Sequence, residues 1–239
     1  MIVTTQAIVL SKLKYGEADL ITTCLTESDG VKTYLLRGIL KSKKGKLRSS
    51  YFQPLTQLEL IAQHKNKGSL EYIREAKVLY PYKTLHTDII KSTLVMFLSE
   101  VLKNSIQEEM PNPTLFQYLK YALVWLDEHN KIANFHNLFL LKLSQYLGFS
   151  PDPSNIEAPF FNLEEGSFQE QDSLQPCYSG ERVEAFKKLF QLSFDDLHTI
   201  SIPKKTRTDM LIMLLEYYQL HLQGFKQPKS LEVLQQLFE

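Results

Sequence analysis

The hydrophobic period of the chain changes at Tyr80-Pro81, and that change limits what it can fold into more than any other feature. Before it, Val3 to Leu10 and Leu20 to Thr26 are rich in β-branched residues, with turn signals at Lys14 to Glu17 and Asp29-Gly30. Val31 to Arg37, Leu55 to Ile61 and Ser69 to Val78 read as three more strands, the last preceded by Lys67-Gly68. Five short strands in so short a stretch predict a small closed or partly closed barrel. After the change, Leu85, Ile89, Leu94, Phe97, Leu98, Val101 and Leu102 recur at helical spacing over 84–106. The same pattern returns over 114–129, 133–147, 181–192, 194–199, 205–223 and 229–237, and Met210 to Leu222 is apolar nearly all round, as in a buried helix. The expected fold class is α+β and multi-domain: a barrel over 1–80, then an all-α helical domain over 81–239 with a long irregular insertion at about 149–180.

Composition narrows the class. At 239 residues and 44% apolar content the chain reads as globular, with no run long enough to cross a membrane and no secretory signal at its start. Cys24 and Cys177 form no CxxC pair, which sets aside a disulfide framework or a Cys-rich metal site and points to a reduced, cytoplasmic setting. No P-loop, GxGxxG, HExxH or GxSxG string occurs. His129 and His136 are seven residues apart, not the i, i+4 pair that grips zinc. The acidic pairs Glu108-Glu109, Glu164-Glu165 and Asp195-Asp196 are adjacent in sequence, so on a helix they diverge. These absences predict a protein that is not an enzyme and needs no cofactor or metal.

The zero net charge hides an asymmetry. Residues 1–80 hold 10 Lys and 3 Arg against 7 acids, so +6, and the remainder carries 14 basic and 20 acidic groups, so −6. Between Asp29 and Glu59 there is no acid, while Lys32, Arg37, Lys41, Lys43, Lys44, Lys46 and Arg48 fall in that gap. Such a run attracts phosphate, though a solvated loop that binds nothing specific would look the same. The Lys-rich segment 38–50 is expected to be a mobile loop. Tyr15, Tyr34, Tyr51 and Phe52 lie in or beside it; facing solvent they would stack bases, and facing inward they would fill the barrel. The candidate DNA contacts are those seven cations with Tyr34 and Tyr51, and a second cluster, Lys204, Lys205 and Arg207, which equally reads as a solvated helix start. The acidic helical part suits protein binding better. An adaptor whose helical domain does the work, with DNA contact incidental, is therefore the alternative.

An ordered set of strings resembles the RecO family of bacterial DNA repair proteins. They are Ala7 to Leu10, Tyr15 to Asp19, Leu25-Thr26-Glu27, Gly30, Arg37-Gly38, Gln53-Pro54-Leu55, Leu58-Glu59-Leu60, Leu70 to Ala76, Leu147-Gly148-Phe149 and Lys229 to Leu234. The resemblance implies an N-terminal OB-fold barrel, a C-terminal helical domain and a non-enzymatic recombination mediator. Such a mediator binds single- and double-stranded DNA, anneals complementary strands, and works with RecR, and often RecF, to load RecA onto DNA coated by single-strand-binding protein. Many relatives carry a four-cysteine zinc site after the Leu-Gly-Phe string. Here 149–180 holds only Cys177, so zinc dependence does not carry over, and the segment is expected to rest on packing of Phe160, Phe161 and Phe168.

Overall fold

A computed structural model describes residues 1–42, 47–65, 70–106 and 110–237. Lys43, Lys44, Lys46, the Lys67-Gly68 turn and Glu108-Glu109 lie outside them. The chain forms two compact units, Met1–Asp127 and Glu128–Glu239.

The first unit begins with a five-stranded antiparallel sheet: β1 (Ile2–Tyr15), β2 (Asp19–Thr26), β3 (Gly30–Leu36), β4 (Gln57–Gln63) and β5 (Tyr72–Val78), in the order β3-β2-β1-β4-β5. The sheet closes because its two outer strands meet. Leu35 N donates to Glu71 O at 2.9 Å and Glu71 N to Thr33 O at 2.8 Å, a parallel bridge between β3 and the start of β5. Five strands closed in this way are the OB-fold barrel. Asp29-Gly30 makes the β2–β3 turn, with Gly30 at φ 64°, a conformation that favours glycine. β1 is longer than its composition suggests. Lys14 and Tyr15 stay in the strand and pair with Leu20 and Asp19, so the turn begins only at Gly16.

The barrel core is Ala7, Val9, Leu20, Cys24, Tyr34, Leu36, Ile39, Phe52, Leu58, Leu60, Ala62 and Ile73. Two expected DNA contacts are corrected by it. Tyr34 is fully buried, its hydroxyl 2.8 Å from His64 Nε2, while His64 Nδ1 lies 3.3 Å from Asp29 Oδ2. Burial, reinforced by Cys24, Asp29 and Glu71, raises the Tyr34 phenol well above its ordinary range, so the hydroxyl stays protonated. A ring enclosed in this way has no face to offer a base. Lys32 shares that inward face of β3 and is also buried. The described ends of the Lys-rich segment are anchored: Ile39 enters the core, Leu47 packs against it, and Leu40 N donates to Ala18 O at 2.9 Å. A 3₁₀ turn, Ser49–Phe52, then buries Phe52.

α1 (Ile89–Ser105) and α2 (Pro113–Glu128) follow the period change, and the barrel and both helices share the first unit. Ile8 and Leu25, which pair across β1 and β2 and lie outside the barrel core, are buried, and α1 packs against β1. The link between barrel and helices is held by a buried carboxylate. Asp127 accepts from Lys83 N (3.0 Å), Thr84 N (2.8 Å), Leu85 N (2.8 Å) and the Thr84 hydroxyl (3.1 Å). Lys91, also buried, donates to the Asp127 carbonyl and to Thr84 Oγ1, both at 2.7 Å. Burial opposes ionisation of Asp127, but the three backbone donors outweigh it and hold the carboxyl below its usual range. Tyr82 extends the link: its hydroxyl donates to Leu55 O at 3.1 Å and accepts from Gln57 Nε2 at 2.9 Å. Leu55 sits at φ 61°, a strained conformation for a branched residue, and is fully buried.

The second unit contains α3 (Phe135–Tyr146), β6 (Phe160–Asn162), β7 (Ser167–Gln169), β8 (Cys177–Tyr178), α4 (Glu181–Leu189), α5 (Lys204–His221) and α6 (Leu231–Leu237). It is therefore not all-α. The segment expected to be irregular folds as a three-stranded sheet ordered β7-β6-β8. Phe161 and Phe168 pack on Phe186, and Phe161 also on Tyr217, while Phe160 is half-exposed. Asn162, buried, donates to Gln169 and Gln175 and accepts from Glu164 N and Glu165 N. One thiol, Cys177, beside carboxamides does not fit a four-thiolate zinc site. Gly166 completes the turn: at φ 63°, a Cβ there would meet the Tyr217 hydroxyl at 2.6 Å.

Two stability outcomes follow. Asp127→Ala removes a buried acceptor of four hydrogen bonds and strands three backbone donors, so chemical denaturation should show a loss of about 3 kcal/mol or more. The folded pKa of Asp127 is depressed, so its contribution is full above about pH 4 and disappears as pH falls through the folded value. Acid unfolding of wild type should thus be steeper than that of the variant. Tyr34→Phe keeps the ring but leaves His64 Nε2 without its partner, and should cost about 1–3 kcal/mol in the same measurement.

Candidate nucleic-acid interface

With Tyr34 and Lys32 turned inward, the remaining first-unit candidates divide by position. Arg37 leaves the end of β3 and is exposed. Lys41 is exposed and 3.1 Å from Glu17 Oε2, with both side chains largely in water, so the pair contributes little and leaves the ammonium available. Arg48 is exposed at the head of the 3₁₀ turn. Tyr51 is half-buried and packs against the barrel core, so its ring is only partly open to solvent. Residues 37–41 fold back on the β1–β2 turn through Gly38 N to Asp19 Oδ1 at 2.7 Å. Arg37 and Lys41 therefore lie at the same end of the barrel as the Tyr15 hairpin tip.

The second cluster belongs to the second unit. Lys204 and Lys205 open α5 and line an open cleft of about 350 Å³ with Thr208, Asp209 and Gln235. Arg207 behaves differently. It is half-buried, donates to Ile202 O at 3.4 Å, and burial lowers its pKa. It also lowers the pKa of the buried His136 to about 3, after the larger effect of burial, so that imidazole is neutral. Arg207 thus serves the packing of α3, α5 and α6 more than the surface.

Two groups of residues outside the acid-free run from Asp29 to Glu59 are brought to the surface by the fold. The first is the hairpin tip, where Lys12, Leu13, Lys14 and Tyr15 are all exposed. Leu13 and Tyr15 pair with Ile21 and Asp19 on the outward face of the sheet, while Lys12 and Lys14 pair with the inward Thr22 and Leu20. The second lies on β5. Glu71 and Ile73 point inward and are buried, so Tyr72 and Arg74 point outward. The Arg37 guanidinium carbon is 5.6 Å from the Tyr72 ring centroid and the Lys65 ammonium 5.4 Å, and Arg37 Nη2 reaches the Tyr72 hydroxyl at 3.4 Å. Arg74 Nη2 donates to Gln63 Oε1 at 3.3 Å on the adjacent strand. The outward alternation of Tyr72 and Arg74 was present in the sequence. The meeting of Tyr72 with Arg37 was not, because it depends on closure between β3 and β5.

Comparison with known proteins covers both units. The family model described as "Recombination protein O N terminal" matches residues 1–82, and "Recombination protein O C terminal" matches residues 86–232. A DNA repair protein RecO of Christiangramia forsetii is 50% identical over 238 residues, covering 100% of both chains. Those of Flavobacterium psychrophilum and Flavobacterium johnsoniae are 48% and 46% identical with the same full coverage. A barrel closed in OB order, an excess of positive charge on it, and full-length relatives of one name agree: the chain belongs to the RecO family of DNA repair proteins.

Proposed function

We propose that the chain is a non-enzymatic, cytoplasmic mediator of recombinational repair that binds DNA through its barrel and anneals complementary strands. With RecR, and with RecF where it takes part, it helps load RecA onto single-stranded DNA coated by single-strand-binding protein. The observation that carries this reading is the closed OB barrel with its net charge of +6, on a chain matched end to end by RecO relatives. The residues proposed to meet phosphate are Arg37, Lys41, Lys43, Lys44, Lys46 and Arg48, with Tyr51 beside them and Lys204 and Lys205 as a secondary contact.

The mechanism is electrostatic. Two backbones repel, and each lysine that neutralises a phosphate releases a condensed counterion and lowers the barrier to pairing. Base pairing then supplies the free energy, so no side chain need gain or lose a proton. Among the described residues no helix is long and apolar enough to cross a membrane, in keeping with a protein that works on DNA.

Fluorescence anisotropy on a labelled single-stranded oligonucleotide across a salt series tests the reading. Four to seven phosphate contacts give a slope of log K against log salt of roughly −3 to −5. Joint charge reversal of Lys41, Lys43, Lys44 and Lys46 should flatten that slope and weaken binding to all sequences alike. An unchanged slope in that variant would remove the assigned surface. Annealing of complementary strands without nucleotide cofactor, lost in the same variant, would tie the surface to the activity.

A further inference from the structure

Tyr72 and Tyr15 both reach solvent on the outward face of the barrel, and of the two it is Tyr72 whose ring lies against cations. Tyr34 and Phe52 are enclosed, and Tyr51 leans on the core. Tyr72 instead stands on the outward face of β5, half-exposed, with Arg37 and Lys65 both within 5.6 Å of its ring centroid. Arg74 lies two residues on along the same face. Among the described residues, Lys41 pairs with Glu17 and His64 with Asp29, both away from the Tyr72 ring. An aromatic face lying among exposed cations is the chemistry that receives one unpaired base and its flanking phosphates.

Resting on the DNA-binding reading above, we propose that Tyr72 is a base-stacking platform for single-stranded nucleic acid, with Arg37 and Lys65 passing from the ring to the phosphates on either side. The exchange is favourable in direction. An exposed cation–π contact is weaker than base–aromatic stacking, and each displaced cation gains a charge-assisted contact with phosphate. Both side chains are long and exposed, so the movement disturbs no core packing. The platform distinguishes strand types. A paired base inside a duplex presents no free face, so duplex binding would draw only on the cations.

The test is anisotropy titration of wild type, Tyr72→Ala and Tyr72→Phe against three labelled ligands: oligothymidylate, an abasic strand of the same length, and a duplex. Tyr72→Ala should bind oligothymidylate about 5- to 100-fold more weakly, with an unchanged salt slope. Its affinity for the abasic strand and the duplex should stay at the wild-type value. Tyr72→Phe keeps a stacking face and should match wild type on all three, which separates stacking from loss of the hydroxyl. Arg37→Ala and Lys65→Ala should each reduce the salt slope by about 1. Wild-type affinity of Tyr72→Ala for oligothymidylate, or an equal loss on all three ligands, would overturn the platform while leaving DNA binding in place. Equal wild-type affinity for abasic strand and oligothymidylate would overturn it even if the Ala variant did not fold. Failure of wild type to bind any of the three at low salt would overturn the DNA-binding reading and the platform together.

Discussion

Two backbone hydrogen bonds between β3 and β5 turn a sheet with two open edges into a barrel. Open edges invite pairing with other chains, and closure removes them. Closure also brings Glu71 into the wall of the barrel, where the carboxylate is buried and accepts the Lys65 amide at both oxygens, at 2.9 and 2.8 Å. Burying a carboxylate is costly unless it is hydrogen-bonded, and these contacts offset much of that cost. The same alternation that turns Glu71 inward turns Tyr72 outward, beside Arg37 from the strand across the seam. The surface chemistry of this end of the barrel is therefore a consequence of how the barrel closes.

The join between strands and helices follows the same logic. A chain leaving a barrel exposes backbone amides that neither sheet nor helix satisfies. Here Lys83, Thr84 and Leu85 offer three such amides to one carboxylate, and Lys91 binds the carbonyl of the same Asp127. Asp88 caps α1 by accepting from Ile90 N and Lys91 N, both at 2.9 Å, which starts the helix where the carboxylate network ends. Outward of the barrel, Lys120 reaches Gln6 at 2.8 Å and Gln117 reaches Glu27 at 2.8 Å, so α2 is tied to β1 and to the β2–β3 turn. Polar contacts set the position of these helices and apolar burial supplies most of the stability.

Much of this was legible in the sequence. The period change at Tyr80-Pro81 separates strands from helices, and the all-round apolar stretch from Met210 marks α5, whose Met210, Leu214 and Tyr218 are buried. Face assignment within β3 was not legible. Val31, Thr33 and Leu35 alternate with Lys32, Tyr34 and Leu36, so one face carries two aliphatic residues and the other an aromatic, an aliphatic and a lysine. Pattern alone does not say which is inside. Register decides it, and register comes from pairing with β2, where Cys24 lies opposite Lys32 and Thr22 opposite Tyr34. The short strands at Phe160, Ser167 and Cys177 were hidden for another reason. Runs of two and three residues carry no period, and their order rests on contacts with Phe186 and Tyr217, distant in sequence.

Charge tallies and closure thus answer different questions about an interface. A run of lysines states how strongly a surface attracts phosphate, and that attraction falls with salt whatever the base sequence. Aromatic placement states whether bases are engaged at all, and stacking is little affected by salt. In the first unit the two are not contiguous in sequence: the Lys-rich run spans 32–48, whereas Lys65 and Tyr72 come after β4. Arg37 belongs to both, as the last cation before the Lys-rich turn and a neighbour of the Tyr72 ring. A strand held by phosphates along the loop and by one base at the seam would keep its other bases free to pair. Annealing requires that freedom, and a barrel lined with stacking aromatics would deny it. The burial of Tyr34 and Phe52 is in that sense as relevant to the proposed activity as the exposure of Tyr72.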